Sequence, residues 1–189
     1  MSYQKIIDIH NHIYPKKIAQ KAISNIGEFY DVPMKSNKGT SEDLLISGKE
    51  INVEKYIVHS VSTTVHQVSI INDFIAGELQ KYKEFVGYAT LHPDMTEDAV
   101  AKEIERVLAK GFKGIKLHPD FQRFDIDDNK ADKIYSIAQD SLPILFHTGD
   151  DRFDYSSPER LAKTAKKFPK LKCIAAHFGG YNRWSEIDV

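Results

Sequence analysis

"IIDIHNHIYP", residues 6–15, is an alternating apolar run that ends in two histidines one residue apart. Alternation is the period of a strand with one buried face. In a strand, residues two apart share a face, so His10 and His12 point the same way and Asn11 the other, with Asp8 one step deeper beside the histidines. The signature recurs along the chain. "KYIVHSV" (55–61), "FVGYATLH" (85–92), "FKGIKLH" (112–118), "LPILFH" (142–147) and "LKCIAAH" (171–177) are short apolar runs with a histidine at or near the end. Seven of the eight histidines therefore sit at strand ends: His10, His12, His59, His92, His118, His147 and His177.

The segments between these runs have helical period. In "TEDAVAKEIERVLAKG" (96–111), Thr96 caps, acidic residues crowd the first turn, Ala99, Ile104, Val107 and Leu108 make an apolar face, and Gly111 closes the end. "SPERLAKTAKKF" (157–168) opens with Ser157 as cap and Pro158 at the first helical position. Further helices are expected at roughly 15–26, 41–49, 66–81 and 129–140. Strands alternating with helices predict a parallel sheet with right-handed crossovers, either open and doubly wound or curled as a barrel. The histidines choose the barrel, because its strand ends converge on one mouth whereas an open sheet spreads them along a line. No phosphate-binding glycine pattern follows the first strand. The fold expected is α/β: a TIM-like (β/α)8 barrel lacking its last two βα units, with six parallel strands, as one domain over 1–189.

Composition is that of an ordinary soluble globular protein, long enough to bury a real core. The 189 residues carry a net charge of -1 from 26 basic and 27 acidic side chains, which offers no basic stripe to nucleic acid and leaves a small molecule or another protein as the expected partner. Cys173 is the single cysteine and has no internal disulfide partner. Asp8 and His10 interrupt the apolar stretch near the N-terminus, and no run approaches the length of a membrane span, so the expected location is cytoplasmic, away from membranes.

Two imidazoles bracketing one point suggest a metal, since neutral imidazole is the commonest metal ligand and a catalytic site takes about three protein ligands plus water. Asp8 is placed to hydrogen-bond an imidazole and fix its tautomer. The bland alternative is a polar loop whose histidines cap the next helix. His147, before Thr148 and Gly149, sits on a turn that can present it at the mouth, and His177 precedes "FGG", where backbone or substrate can approach closely.

"DIHNHIYP" (8–15), "GFKGIKLHPDF" (111–121), "LPILFHTG" (142–149) and "SSPERLAKTAKKFPKLKCIAAHFGG" (156–180) together resemble the amidohydrolase superfamily, in its amidohydrolase-related branch, which also contains decarboxylases. The resemblance implies a divalent ion, zinc first with manganese, iron or nickel compatible, on His10, His12 and His147, and His177 either on a second metal or, as expected here, as the acid/base. It implies hydrolysis of an amide, ester or lactone. Non-oxidative decarboxylation of an unsaturated or aromatic acid is the alternative on the same site, and an inactive or structural barrel fragment is the alternative of another class. Some relatives carboxylate a strand-four lysine to bridge two metals. The branch generally uses one, so Lys116 is expected to pair with a carboxylate, Asp8 being the candidate. His118 and His92 precede prolines and can shape turns, and His59 is expected to have a lesser role at the mouth.

Arg152 in "GDDRFDYSSP" (149–158) is a solvated loop arginine that could also clamp a substrate carboxylate. The segment 27–43, with Phe29, Tyr30 and Met34, reads as a partly apolar lid. Family members end with a strand-eight Asp on the metal. The sequence given ends at "GGYNRWSEIDV" (179–189) without a match to it, so a fragment is expected, Asp150 is a candidate replacement ligand, and the bare sheet edges favour a homo-oligomer.

Overall fold

A computed structural model of the chain describes residues 5–34 and 38–188. Six strands, β1 (Ile6–His12), β2 (Val53–His59), β3 (Phe85–Thr90), β4 (Gly114–Leu117), β5 (Ile144–Phe146) and β6 (Cys173–Ala175), form one sheet in sequential order. Every neighbouring pair is parallel. Sequential order is what a barrel requires, because a doubly wound sheet reverses direction partway across. The sheet curls so far that the rings of His10 on β1 and His177 after β6, at its two edges, lie 4.9 Å apart. The architecture is a curled, open half-barrel wrapped by helices.

The helices are α1 (Lys16–Tyr30), α2 (Ser41–Lys49), α3 (Gln67–Lys81), α4 (Glu97–Ala109), α5 (Pro119–Gln122), α6 (Asp132–Ala138) and α7 (Pro158–Lys167). Their starts follow the capping chemistry in the sequence: Thr96 accepts from the Ala99 N–H, and Ser157 from that of Arg160 ahead of Pro158. On α4 the buried stripe is Val100, Ile104 and Val107, while Leu108 stays exposed, a shift of the expected face by about one position. The expected helix at 129–140 is a 3₁₀ turn, Asn129–Ala131, followed by α6, and Asp128 caps that turn. The strands end earlier than the apolar runs. His92, His118, His147 and His177 therefore lie just past the ladder, in the loops that form the mouth. No helix of the described residues is long and apolar enough to cross a membrane.

Packing forms two layers. Ile115, Leu117, Ile144 and Phe146 face outward into the main core beneath the helices. A smaller inner cluster, Tyr88, Leu145 and Ala176, closes the bottom of the half-barrel. Above that floor the inward positions turn polar, starting with the fully buried Lys116. On the open side, Ile7 and Ile9 of β1 are 60% and 52% exposed, because β1 pairs only with β2 among the described strands.

Candidate metal centre

The strand ends bring six imidazoles into one continuous arc. Ring centroids are separated by 4.4 Å from His59 to His12, 5.4 Å to His10, 4.9 Å to His177, 4.8 Å to His147 and 4.0 Å to His118. Five of these rings, all but His59, line a cavity of about 580 Å³ with Tyr14, Tyr30, Phe121 and Tyr181. His92 stands apart, its Nδ1 accepting from the Asp94 N–H at 3.2 Å as a turn-shaping residue.

Local backbone chemistry sets the arc. A register irregularity lies between Asp8 and Asn11, where the Asn11 amide donates to the Ile57 carbonyl and ties β1 to β2, and His12 pairs with His59 in the ladder. Gly149 follows His147 with φ +88°, and a Cβ there would collide with the Gly180 carbonyl, so the two mouth loops approach through glycine. His177 and Phe178 both take left-handed backbone, φ 57° and 52°, an unfavourable conformation for such residues that clusters at functional sites.

Among the described residues, two groups of side chains have ligand atoms close enough for one ion: His10, His12 and His59, and separately His118, Asp120 and His147. The structure thus gathers the strand-one pair with His59, whereas His147 lies beyond His177. His147 Nδ1 is 3.0 Å from His177 Nε2, and its Nε2 is 3.5 Å from the Tyr30 hydroxyl and 3.7 Å from Asp120 Oδ2. The Tyr30 hydroxyl also bonds His118 Nε2 at 2.8 Å. Asp120 and Tyr30 were not singled out by their chemistry in the sequence. Asp120 stands two residues after His118 in "LHPDF" (117–121), a spacing that could have flagged it.

Buried polar atoms show that this chemistry is incomplete without a bound group. Among the described residues, seven buried side-chain nitrogen or oxygen atoms have no hydrogen-bond partner, and six of them belong to His12, His59, Lys116 and Asp120. Buried polar groups are normally satisfied, so their concentration at one mouth fits a cation-binding site. The imidazoles are also in the form a metal needs. Burial, reinforced by Lys116, lowers His12 to about 3 and holds His10 and His147 far below the usual range, and burial takes His177 down to about 4.

Several expected contacts are different. Asp8 accepts from the backbone N–H of His10 at 3.3 Å and not from an imidazole, because the strand irregularity folds it onto its own backbone. Lys116 does not pair with Asp8. Its Nζ has no partner, and burial drops its pKa to about 7 against the opposing pull of Asp120. Asp150 is engaged with Arg152, which contacts both carboxylate oxygens, at 3.0 Å and 2.6 Å. The same Arg152 donates to the Phe29 carbonyl and lies over the Phe29 ring at 4.6 Å, so it clamps the end of α1 and is not a free carboxylate clamp. His59, expected at the mouth with a lesser role, is fully buried, while His118 caps α5 in the turn-shaping role expected of it. Of the expected lid, residues 27–30 complete α1 and 31–34 form a turn. Met34 lines the cavity, and residues 35–37 lie outside the described residues.

The fold and its histidine-lined mouth define a class, and the comparisons agree with it. The family model described as Amidohydrolase matches residues 7–187, and the chain belongs to that family. Among solved structures, it resembles a candidate amidohydrolase of Staphylococcus aureus (19% identity, TM-score 0.68, 93% of this chain and 68% of that one). It also resembles a 5-carboxyvanillate decarboxylase of Novosphingobium aromaticivorans with bound manganese (19%, 0.70, 92% and 66%). A third is the IDCase of Metarhizium anisopliae (15%, 0.71, 95% and 66%). At these identities the likeness is one of fold. The chain spans about two thirds of the length of these structures.

Proposed function

We propose that the site performs metal-dependent hydrolysis of an amide, ester or lactone, with a divalent ion, zinc first, held by His10, His12 and His147. The observation that supports this reading is the ring of unpartnered buried polar atoms around six neutral imidazoles at one mouth. Such an ion lowers the pKa of water to about 7 and polarises a carbonyl. His177, neutral at pH 7 and exposed to the cavity, takes the proton from the attacking water and returns it to the leaving group. Ile23, Ile26, Val32, Met34 and Phe121 exclude water around the substrate and give it an apolar bed. The Tyr30 hydroxyl, bonded to His118, stands over the same space and orients a substrate oxygen.

Decarboxylation of an aromatic or unsaturated acid is the second reading. It is favoured by this apolar and aromatic lining and by the fold shared with a manganese-bound decarboxylase. In that reaction His177 would deliver a proton to carbon. Assays with ester, lactone and aromatic acid substrates separate the two. Under either reading, chelation should abolish turnover, and His12→Ala should lose the ion. His177→Ala should keep the ion and lose about 10²- to 10⁴-fold in kcat. A metal-free protein that turns over normally would remove both readings, and one that binds no ion and turns over nothing would favour a structural role.

A further inference from the structure

We infer that His59 is a further ligand of the same ion, so that β1 and β2 supply three of its imidazoles, His10, His12 and His59, beside the His147 of the reading above. The inference rests on the metal reading above and extends it to a residue whose position suggested only a minor role. His12 and His59 are partners in the β1–β2 ladder, so strand pairing itself fixes their separation. The His59 ring meets His12 edge-on at 4.4 Å and His10 at 5.1 Å, and the ligand atoms of all three lie within 4.8 Å of one another. His59 is 0% exposed, and neither ring nitrogen has a hydrogen-bond partner.

A neutral imidazole always carries one N–H and one lone pair. A structural histidine buried this deeply would have a polar partner at one of them, as His92 has in the Asp94 N–H and His118 in the Phe121 N–H and the Tyr30 hydroxyl. His59 has none among the described residues, and the imidazoles of His10 and His12 stand beside it. An ion between the three rings satisfies the His59 lone pair and the unpartnered Nδ1 of His12 at once. Three imidazoles in one cradle also set the preference of the site. Nitrogen-rich donor sets suit zinc, iron and nickel, whereas manganese is better served by carboxylate and water oxygens. The cradle therefore makes zinc the tighter ion here.

Zinc binding by competition with a chromophoric chelator, metal content by mass spectrometry and ¹⁵N-histidine NMR test the inference on the whole 189-residue chain. His59→Gln should weaken zinc at least about 10-fold, with a smaller loss for manganese. In the wild type, one equivalent of zinc should move a His59 ring nitrogen, assigned by through-bond correlation to its own backbone, into the metal-bound range. The wild-type spectrum decides even if the variant fails to fold. An unmoved His59 resonance on zinc binding overturns the inference. So does unchanged zinc affinity in both His59→Gln and His59→Leu while His12→Ala loses the ion, and in that case the metal reading survives. Unchanged affinity in His12→Ala as well would overturn both.

Discussion

Asp120 carries more of the site's electrostatics than its place in a loop suggests. Its side chain is fully enclosed and both oxygens lack a partner, 4.0 Å from His118 Nδ1 and 3.7 Å from His147 Nε2. Burial raises its pKa to about 6, so at pH 7 it is a carboxylate held in poor surroundings. A carboxylate behind an imidazole fixes the tautomer and strengthens the other nitrogen as a ligand. Asp120→Asn should therefore weaken zinc about 10- to 100-fold, read by chelator competition, with little change in melting temperature. An unaltered affinity would show that Asp120 does not act on His147. Cys173 gives a second test at this scale. Burial lifts its thiol to about 11, so at pH 8 it should alkylate roughly 100-fold more slowly than an ordinary cysteine thiol of pKa about 8.5. Labelling at the free-thiol rate would contradict that burial.

At the scale of elements, the end of α1 is the adjustable part of the mouth. The helix ends at Asp31 in a left-handed conformation, φ 52°, and places Tyr30 beside His118 and His147 and Phe29 against Phe121. Arg152 holds it there through the Phe29 carbonyl and the faces of Phe29 and Tyr30, at 4.6 Å and 4.9 Å from the ring centroids. A cation over aromatic faces at a partly exposed site contributes on the order of 1 kcal/mol. Arg152→Ala should free residues 27–32, seen as faster amide exchange confined to that turn, and should raise KM more than it lowers kcat. Unchanged exchange would mean that α1 is held by its own packing. The caps at Thr96 and Ser157 were legible because a capping side chain acts within three residues of itself. The full length of α1 was not legible, since its last turn is stabilised by a guanidinium more than a hundred residues away.

Across the whole molecule, the cluster of enclosed imidazoles makes stability depend on pH in a definite direction. Burial depresses the pKa values of His12, His59 and His118 below the unfolded value of about 6.5. Below that pH the unfolded chain binds protons that the folded chain refuses, at up to about 1.4 kcal/mol per pH unit for each histidine. Lys116, lowered to about 7, adds a loss as pH falls from about 10.5 to 7, while Asp120 opposes by one proton between about 6 and 4. The chelated protein should thus melt at steadily lower temperature from pH 9 to pH 5, with the steepest fall below 6.5, and zinc should raise the whole profile while leaving its fall below 6.5 in place, because the folded imidazoles are already neutral and only the unfolded chain takes up protons. A melting temperature independent of pH would refute the burial of these groups. The bare face of β1 belongs to the same scale. With Ile7 and Ile9 exposed and β1 paired only with β2 among the described strands, the chain should self-associate through this edge. Ile9→Lys should shift its mass in sedimentation toward 21.6 kDa, and a wild-type monomer at all concentrations would argue against the edge as an interface.

The sequence by itself determined the strand and helix alternation, the parallel order and the placement of histidines at one mouth. Each of these follows from short-range periodicity, capping and strand alternation acting over a few residues. It also made the amidohydrolase resemblance readable, through local motifs such as "DIHNHIYP" and "LPILFHTG". Only the tertiary structure decided which side chains meet. Asp8 and Asp150 had to be released from their expected roles, because a strand irregularity turned one onto its own backbone and Arg152 occupied the other. His59, Asp120 and Tyr30 entered the site because curling a sheet brings together residues from β1, β2, the loop after β4 and the end of α1. Such contacts depend on the radius of the curl and on which buried groups remain unpaired, quantities that no window of neighbouring residues contains.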